Sequence, residues 1–163
     1  MDFLERFANL PKNLTQCGFN ADIKNAKIDE VDVFIALCFI QQNFEKKKTI
    51  KIESSSHSYT LKHVAERALG FYVSNGTLIA AMLLDGFQFN YFEKLNCCFN
   101  IKKFKESELV WNHKSFNKNG DDYLITLHDF ANDYEMSEEL LLMFNIRIEL
   151  EERKLLNKLQ NEA

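Results

Sequence analysis

A chain of 163 residues has room for one domain with a proper core, or for a small domain with an appendage. Its 46% hydrophobic content excludes wholesale disorder, and no run approaches the roughly 18–20 consecutive apolar residues that cross a bilayer, so a membrane span is not expected. The net charge of −4 divides unevenly, as −2 over residues 1–40, +5 over 41–118 and −7 over 119–163. A basic middle tied to an acidic tail suits nucleic-acid contact, and suits equally an attraction between the two parts of the chain.

The first ten residues carry early acidic side chains and no continuous apolar run, so they do not read as a signal peptide. Phe3, Leu4, Phe7 and Leu10 suit one and a half helical turns, stopped by Pro11, and residues 12–27 show no period and read as loop. Asp29 is a candidate N-cap for a helix whose almost continuous apolar run, Val33 to Ile40, predicts burial on most sides. Residues 49–53 alternate and predict a short strand. A helix follows from Tyr59 or Thr60, with Leu61, Val64, Ala65, Ala68 and Leu69 on its apolar face and Gly70 as its stop. Ser74 or Asn75 caps the next helix, which Gly86 ends. Phe87, Phe89 and Tyr91, then Cys97, Phe99 and Ile101, alternate as two strands of a hairpin.

Beyond the hairpin, residues 102–119 predict a short helix holding Leu109, Val110 and Trp111, and a polar loop ending at Asn119 and Gly120 that marks a domain boundary. Leu124, Leu127, Phe130, Ala131 and Tyr134 lie at helical spacing, and Ser137 caps a last helix with Glu138 and Glu139 in its first turn. Along that helix Leu141, Phe144, Ile148, Leu155 and Leu159 form one stripe, the candidate surface for docking or for a homodimer. The whole reads as mainly α with a small antiparallel β-hairpin or sheet, an α+β chain. It divides into an N-terminal arm (1–28), a domain (29–118) and an acidic helical appendage (119–163).

From residue 29 the order is helix, strand, helix, helix, strand, strand, which is the order of a winged helix-turn-helix. Ala65, the turn around Gly70, and Ser74, Thr77 and Ala81 in the second helix resemble the winged-helix modules of GntR-like bacterial repressors. The stretches Ser58 to Glu66 and Tyr72 to Ala81 are also similar to small uncharacterised proteins of bacterial phages and conjugative elements. These resemblances imply a DNA-binding protein of a regulatory or mobile-element setting, with double-stranded DNA as partner. The contacts expected are Ser74, Asn75 and Thr77 at the reading helix. Asn96 and Lys94 at the wing tip, with Lys62, Lys102, Lys103 and Lys105, would meet phosphates. Three features depart from the family: Gly86 comes early, the turn between helices is long, and the second helix offers no Arg, Lys or Gln to read a base edge. An interaction module on the same fold, binding a protein partner and no nucleic acid, is therefore the alternative.

Catalytic and metal patterns are not in the sequence. His57 and His63 stand six apart across a loop–helix boundary, His113 and His128 have no neighbouring cysteine, and the five glycines form no phosphate loop. Cys97 and Cys98 are adjacent in a strand and point to opposite faces. No enzyme, cofactor or metal is expected, and four cysteines without a C-x-x-C pair suit a reduced, cytoplasmic protein.

Overall fold

The computed structural model describes residues 2–22, 27–113 and 122–162, and the chain divides into two compact units, residues 1–112 and 113–163. The expected boundary near Gly120 lies outside the described residues. The architecture is mainly helical, with two small antiparallel sheets, an α+β chain.

In the first unit the helices are α1 (Phe3–Ala8), α2 (Glu30–Asn43), α3 (Ser58–Leu69) and α4 (Asn75–Leu84). The strand pairs are β1 (Leu14–Thr15) with β2 (Gly18–Phe19), and β3 (Phe89–Phe92) with β4 (Asn96–Phe99). Local signals explain the helix ends. Asp29 accepts hydrogen bonds from the backbone N–H groups of Val31 and Asp32 at 3.0 and 3.2 Å, satisfying donors that a helix start leaves open. Gly70 closes α3 in the left-handed conformation, with φ of 86°.

α2 and α4 are apolar on nearly every side and pack against each other as the centre of the core, with α3 across them. Val33, Ile35, Phe39 and Ile40 of α2 and Leu78, Ile79, Ala80 and Met82 of α4 are fully buried.

The strand expected at 49–53 does not form. The chain pairs earlier: Lys46 bridges Ile101, the Lys47 N–H donates to the Asn100 carbonyl at 2.7 Å, and the Lys102 N–H donates to the Glu45 carbonyl at 2.8 Å. Ile52, whose alternation suggested the strand, is exposed.

Asn100 is the reason the pairing sits where it does. Its buried side chain accepts from the Gln88 N–H at 2.7 Å and donates to the Lys47 carbonyl at 2.8 Å, tying the residue 45–47 segment to both strands of the hairpin. Asn100→Leu strands both backbone groups, and we expect it to lower unfolding stability by about 2–3 kcal/mol, read from the urea midpoint.

Two other expectations are corrected. Residues 12–27 are not loop throughout, since β1 and β2 form a hairpin there, with Phe19 packed against the rings of Phe89 and Tyr91. Residues 109–111 are not helical; a single 3-10 turn at Glu106–Glu108 precedes them, and Asn43 holds the Val110 backbone through both its N–H and its carbonyl, at 2.7 and 2.9 Å.

The second unit is a helical hairpin of α5 (Asp122–Asp133) and α6 (Glu138–Glu162). Phe130 stacks on Phe144 with ring planes 2° apart, and Leu127, Leu140 and Ile148 are buried beside them.

Candidate interaction surfaces

The N-terminal tip of α4 is the place where a winged helix would meet DNA. Ser74 caps it as expected, accepting from the Thr77 N–H at 3.0 Å and bonding the Thr77 hydroxyl at 2.8 Å. The tip is nevertheless sealed. Ser74, Asn75 and Thr77 are each no more than 6% exposed. Asn75 donates to the Cys17 carbonyl at 3.1 Å and to Asn96 Oδ1 at 2.9 Å, and the Gly76 N–H donates to the Gln16 carbonyl at 2.9 Å. The β1–β2 hairpin covers the face that a base edge would need. The expected contact positions Ser74, Asn75 and Thr77 are therefore corrected: all three are buried by the fold, with Asn75 Oδ1 enclosed and without a hydrogen-bond partner among the described residues.

Asn96 likewise sits half-buried in a polar network rather than free at a wing tip. Its Oδ1 accepts from the Asn75 side-chain amide at 2.9 Å and from the Ser58 hydroxyl at 3.5 Å, and that hydroxyl accepts in turn from the Cys97 N–H at 3.2 Å. Lys62 is buried as well, not at the surface. Its ammonium lies 2.8 Å from Glu66, donates to the Val73 carbonyl at 3.1 Å and stands over the Tyr72 ring at 4.8 Å. Glu66 answers with more than one bond, accepting from the Val73 N–H at 3.2 Å and meeting the His63 ring at 2.7 Å. Desolvation alone would raise the Glu66 carboxyl; the bonds from Lys62, His63 and the Val73 N–H, with the charge of Lys62, outweigh it and hold the group below its ordinary value.

Lys94, Lys102, Lys103 and Lys105 are exposed. Three of them meet a carboxylate: Lys94 with Asp22, Lys102 with Glu45 and Lys105 with Glu108. Lys46 and Lys47 pair with Asp85 and Glu53 in the same way. Over residues 1–112 fourteen basic side chains face thirteen acidic ones, a net of +1. The basic excess of the middle segment is thus largely neutralised where it stands. Lys102, Lys103 and Lys105 line one shallow cleft of about 260 Å³ with Gln42, Phe104 and Val110.

A second cleft, about 340 Å³, brings His57 and Cys98 into one wall with Thr60 and Phe92. Sequence reasoning did not bring these two together; a bridge across the sheet does, pairing residue 57 with residue 98. The imidazole stands edge-on to Phe92, and Cys98 is fully buried in its strand. Burial pushes the thiols of Cys38 and Cys97 up to about 12, which leaves both protonated at neutral pH. Among the described residues no group of three or more His, Cys, Asp or Glu stands together to hold a metal ion, and no helix is long and apolar enough to cross a membrane.

The last surface lies on α6. Of the expected stripe, Phe144 and Ile148 are buried within the unit, Leu141 and Leu155 are half-buried, and Leu159 is exposed. That stripe is corrected as a docking surface because its centre is already used, Phe144 lying on Phe130 of α5. A different row faces outward: Leu142, Ile146 and Leu150, at 59%, 51% and 46% exposure, with Leu156 exposed a turn and a half further on. The signal for it was the step of four residues, hidden by the unbroken apolar run 140–144.

No protein-family model, curated protein or solved structure was found to match this chain.

Proposed function

We propose that the protein is an interaction module, a winged-helix-like core joined to a helical hairpin, that works by contact with protein and not by reading base pairs. The observation that carries this is the outward row Leu142, Ile146 and Leu150, three large apolar side chains in register on a helix whose opposite face is already packed. The sealed tip of α4 supports the same reading, because no side chain there is free to meet a base. The order of elements from α2 to β4, with residue 46 bridged to residue 101, supports the winged-helix-like core. Free thiols at Cys17, Cys38, Cys97 and Cys98 suit a reducing, cytoplasmic setting.

A second reading, contact with duplex DNA, is favoured by one observation, the exposed Lys102, Lys103 and Lys105 along a single cleft. Fluorescence anisotropy with a pool of short duplexes at about 50 and 200 mM salt separates the two readings. The interaction module gives no salt-sensitive binding. A steep loss of binding between the two salts, removed by Lys103→Glu, would establish the DNA reading in its place. In the same protein, a photo-crosslinking side chain at position 142 is expected to yield a discrete protein adduct in cells.

A further inference from the structure

We propose that the outward face of α6 pairs with a second copy of this chain, the two helices running antiparallel with Ile146 on the two-fold axis. This rests on the interaction reading above and names its occupant.

The face has an order that fits itself. Read along α6, Glu139, Leu142, Ile146, Leu150 and Arg153 follow at steps of three, four, four and three residues. At 3.6 residues per turn they fall within an arc of about 80°. The spacing is symmetric about Ile146, and the ends carry opposite charges. A two-fold axis through Ile146 therefore sets Leu142 against the partner's Leu150 and Glu139 against the partner's Arg153, twice over. This is the self-complementarity that an isologous interface requires. Parallel pairing of the same face would set Glu139 against Glu139 and Arg153 against Arg153, which costs affinity.

The side chains are free to do this. Glu139 is exposed, the three apolar residues are about half exposed, and Arg153 keeps 74% of its side chain in solvent, with only a 3.9 Å approach to Glu149. A lipid surface would use the same apolar row. Residues 113–163 carry six basic against eleven acidic side chains, a net of −5 that repels anionic headgroups. A short apolar row also bounds the affinity: the contact falls below the area of standard stable interfaces, so pairing belongs in the micromolar range.

Sedimentation equilibrium of the full chain tests this. Between about 5 and 300 μM the weight-average mass should rise from 19.1 kDa toward twice that value. Ile146→Asp, which sets two carboxylates face to face at an exposed position, should weaken association at least about 100-fold with the circular dichroism spectrum unchanged. Glu139→Arg and Arg153→Glu should each weaken it about 10-fold at low salt, and the double exchange should restore it to within about threefold. A chain that stays at 19.1 kDa throughout overturns the proposal, as does a dimer indifferent to Ile146→Asp. Single charge changes without effect, or a double exchange without rescue, overturn the antiparallel arrangement. A monomer whose crosslinker at position 142 captures one other protein, and loses it with Ile146→Asp, overturns self-pairing and leaves the interaction reading standing. A monomer that captures nothing overturns both.

Discussion

Replacing Glu66 with leucine is expected to destabilise the protein by about 3–4 kcal/mol. The cause is the partner left behind. Lys62 is buried, and its ammonium has Glu66 at 2.8 Å, the Val73 carbonyl at 3.1 Å and the Tyr72 ring at 4.8 Å. Without the carboxylate, a desolvated positive charge keeps the Val73 carbonyl and the faces of the Tyr59 and Tyr72 rings, which do not balance the loss of water. The Val73 N–H loses its acceptor in the same change, at the turn that leads into the Ser74 cap. Lys62→Met together with Glu66→Leu removes both charges and should cost less than Glu66→Leu alone. Urea midpoints of the two single variants and the double variant give that coupling directly.

The same carboxyl gives a pH dependence with a definite sign. Its value in the folded protein lies below the ordinary 4.5, so the folded state holds the charged form more tightly than the unfolded chain does. The stability it contributes is fully present above 4.5 and is lost as the pH falls through the lower folded value. Glu45 and Glu106 are also held low, each by the side-chain hydrogen bond from its cation, Lys102 and Arg67 respectively, but both lie in solvent, where such pairs count for little. The urea midpoint of the wild type should therefore drop more steeply between pH 5 and about 3 than that of Glu66→Leu.

What the sequence made legible follows the range of the interactions involved. The caps at Asp29 and Ser74 and the stop at Gly70 involve groups within four residues, and all three are where the residue types placed them. Residues 49–53 alternate more cleanly than residues 96–99, where Cys97, Cys98 and Phe99 are all buried, yet only the latter pair. The difference is Asn100, whose side chain reaches a carbonyl 53 residues away and draws the partner segment to residues 45–47. The two-residue strands of the β1–β2 hairpin are too short to carry a period, so the cover over α4 had no signature in the chain. Without that cover, Asn75 would stand at an open helix tip. On α6 the reverse held: Leu140, Leu141 and Leu142 are adjacent, so the sequence offers two apolar rows at once, and only the stacking of Phe130 on Phe144 decides which one faces inward.

Gly76→Ala should destabilise the protein by about 2–3 kcal/mol, against the sign that helix propensity gives. Gly76 lies in the first turn of α4, where alanine would gain up to about 1 kcal/mol. A Cβ there would stand 1.9 Å from the Thr15 carbonyl oxygen and under 3 Å from two further backbone atoms, so no side-chain rotation relieves it. The β1–β2 hairpin must shift, breaking the Gly76 N–H bond to the Gln16 carbonyl and the Asn75 bond to Cys17. Gly18 meets the same hairpin's limit from its other side. At φ of 120° it occupies a conformation that L side chains rarely adopt, and its Cβ would stand 2.2 Å from the Leu95 carbonyl oxygen. Gly18→Ala is therefore expected to cost a similar amount, and the two losses should not add. Once either substitution has displaced the hairpin, the second has little left to break, so the double variant should fall within about 1 kcal/mol of the worse single. Strict additivity would mean that each clash relaxes locally with the hairpin still docked. Limited proteolysis reports the same event separately: cleavage after Phe19, fully buried in the wild type, should accelerate in all three variants before global unfolding does.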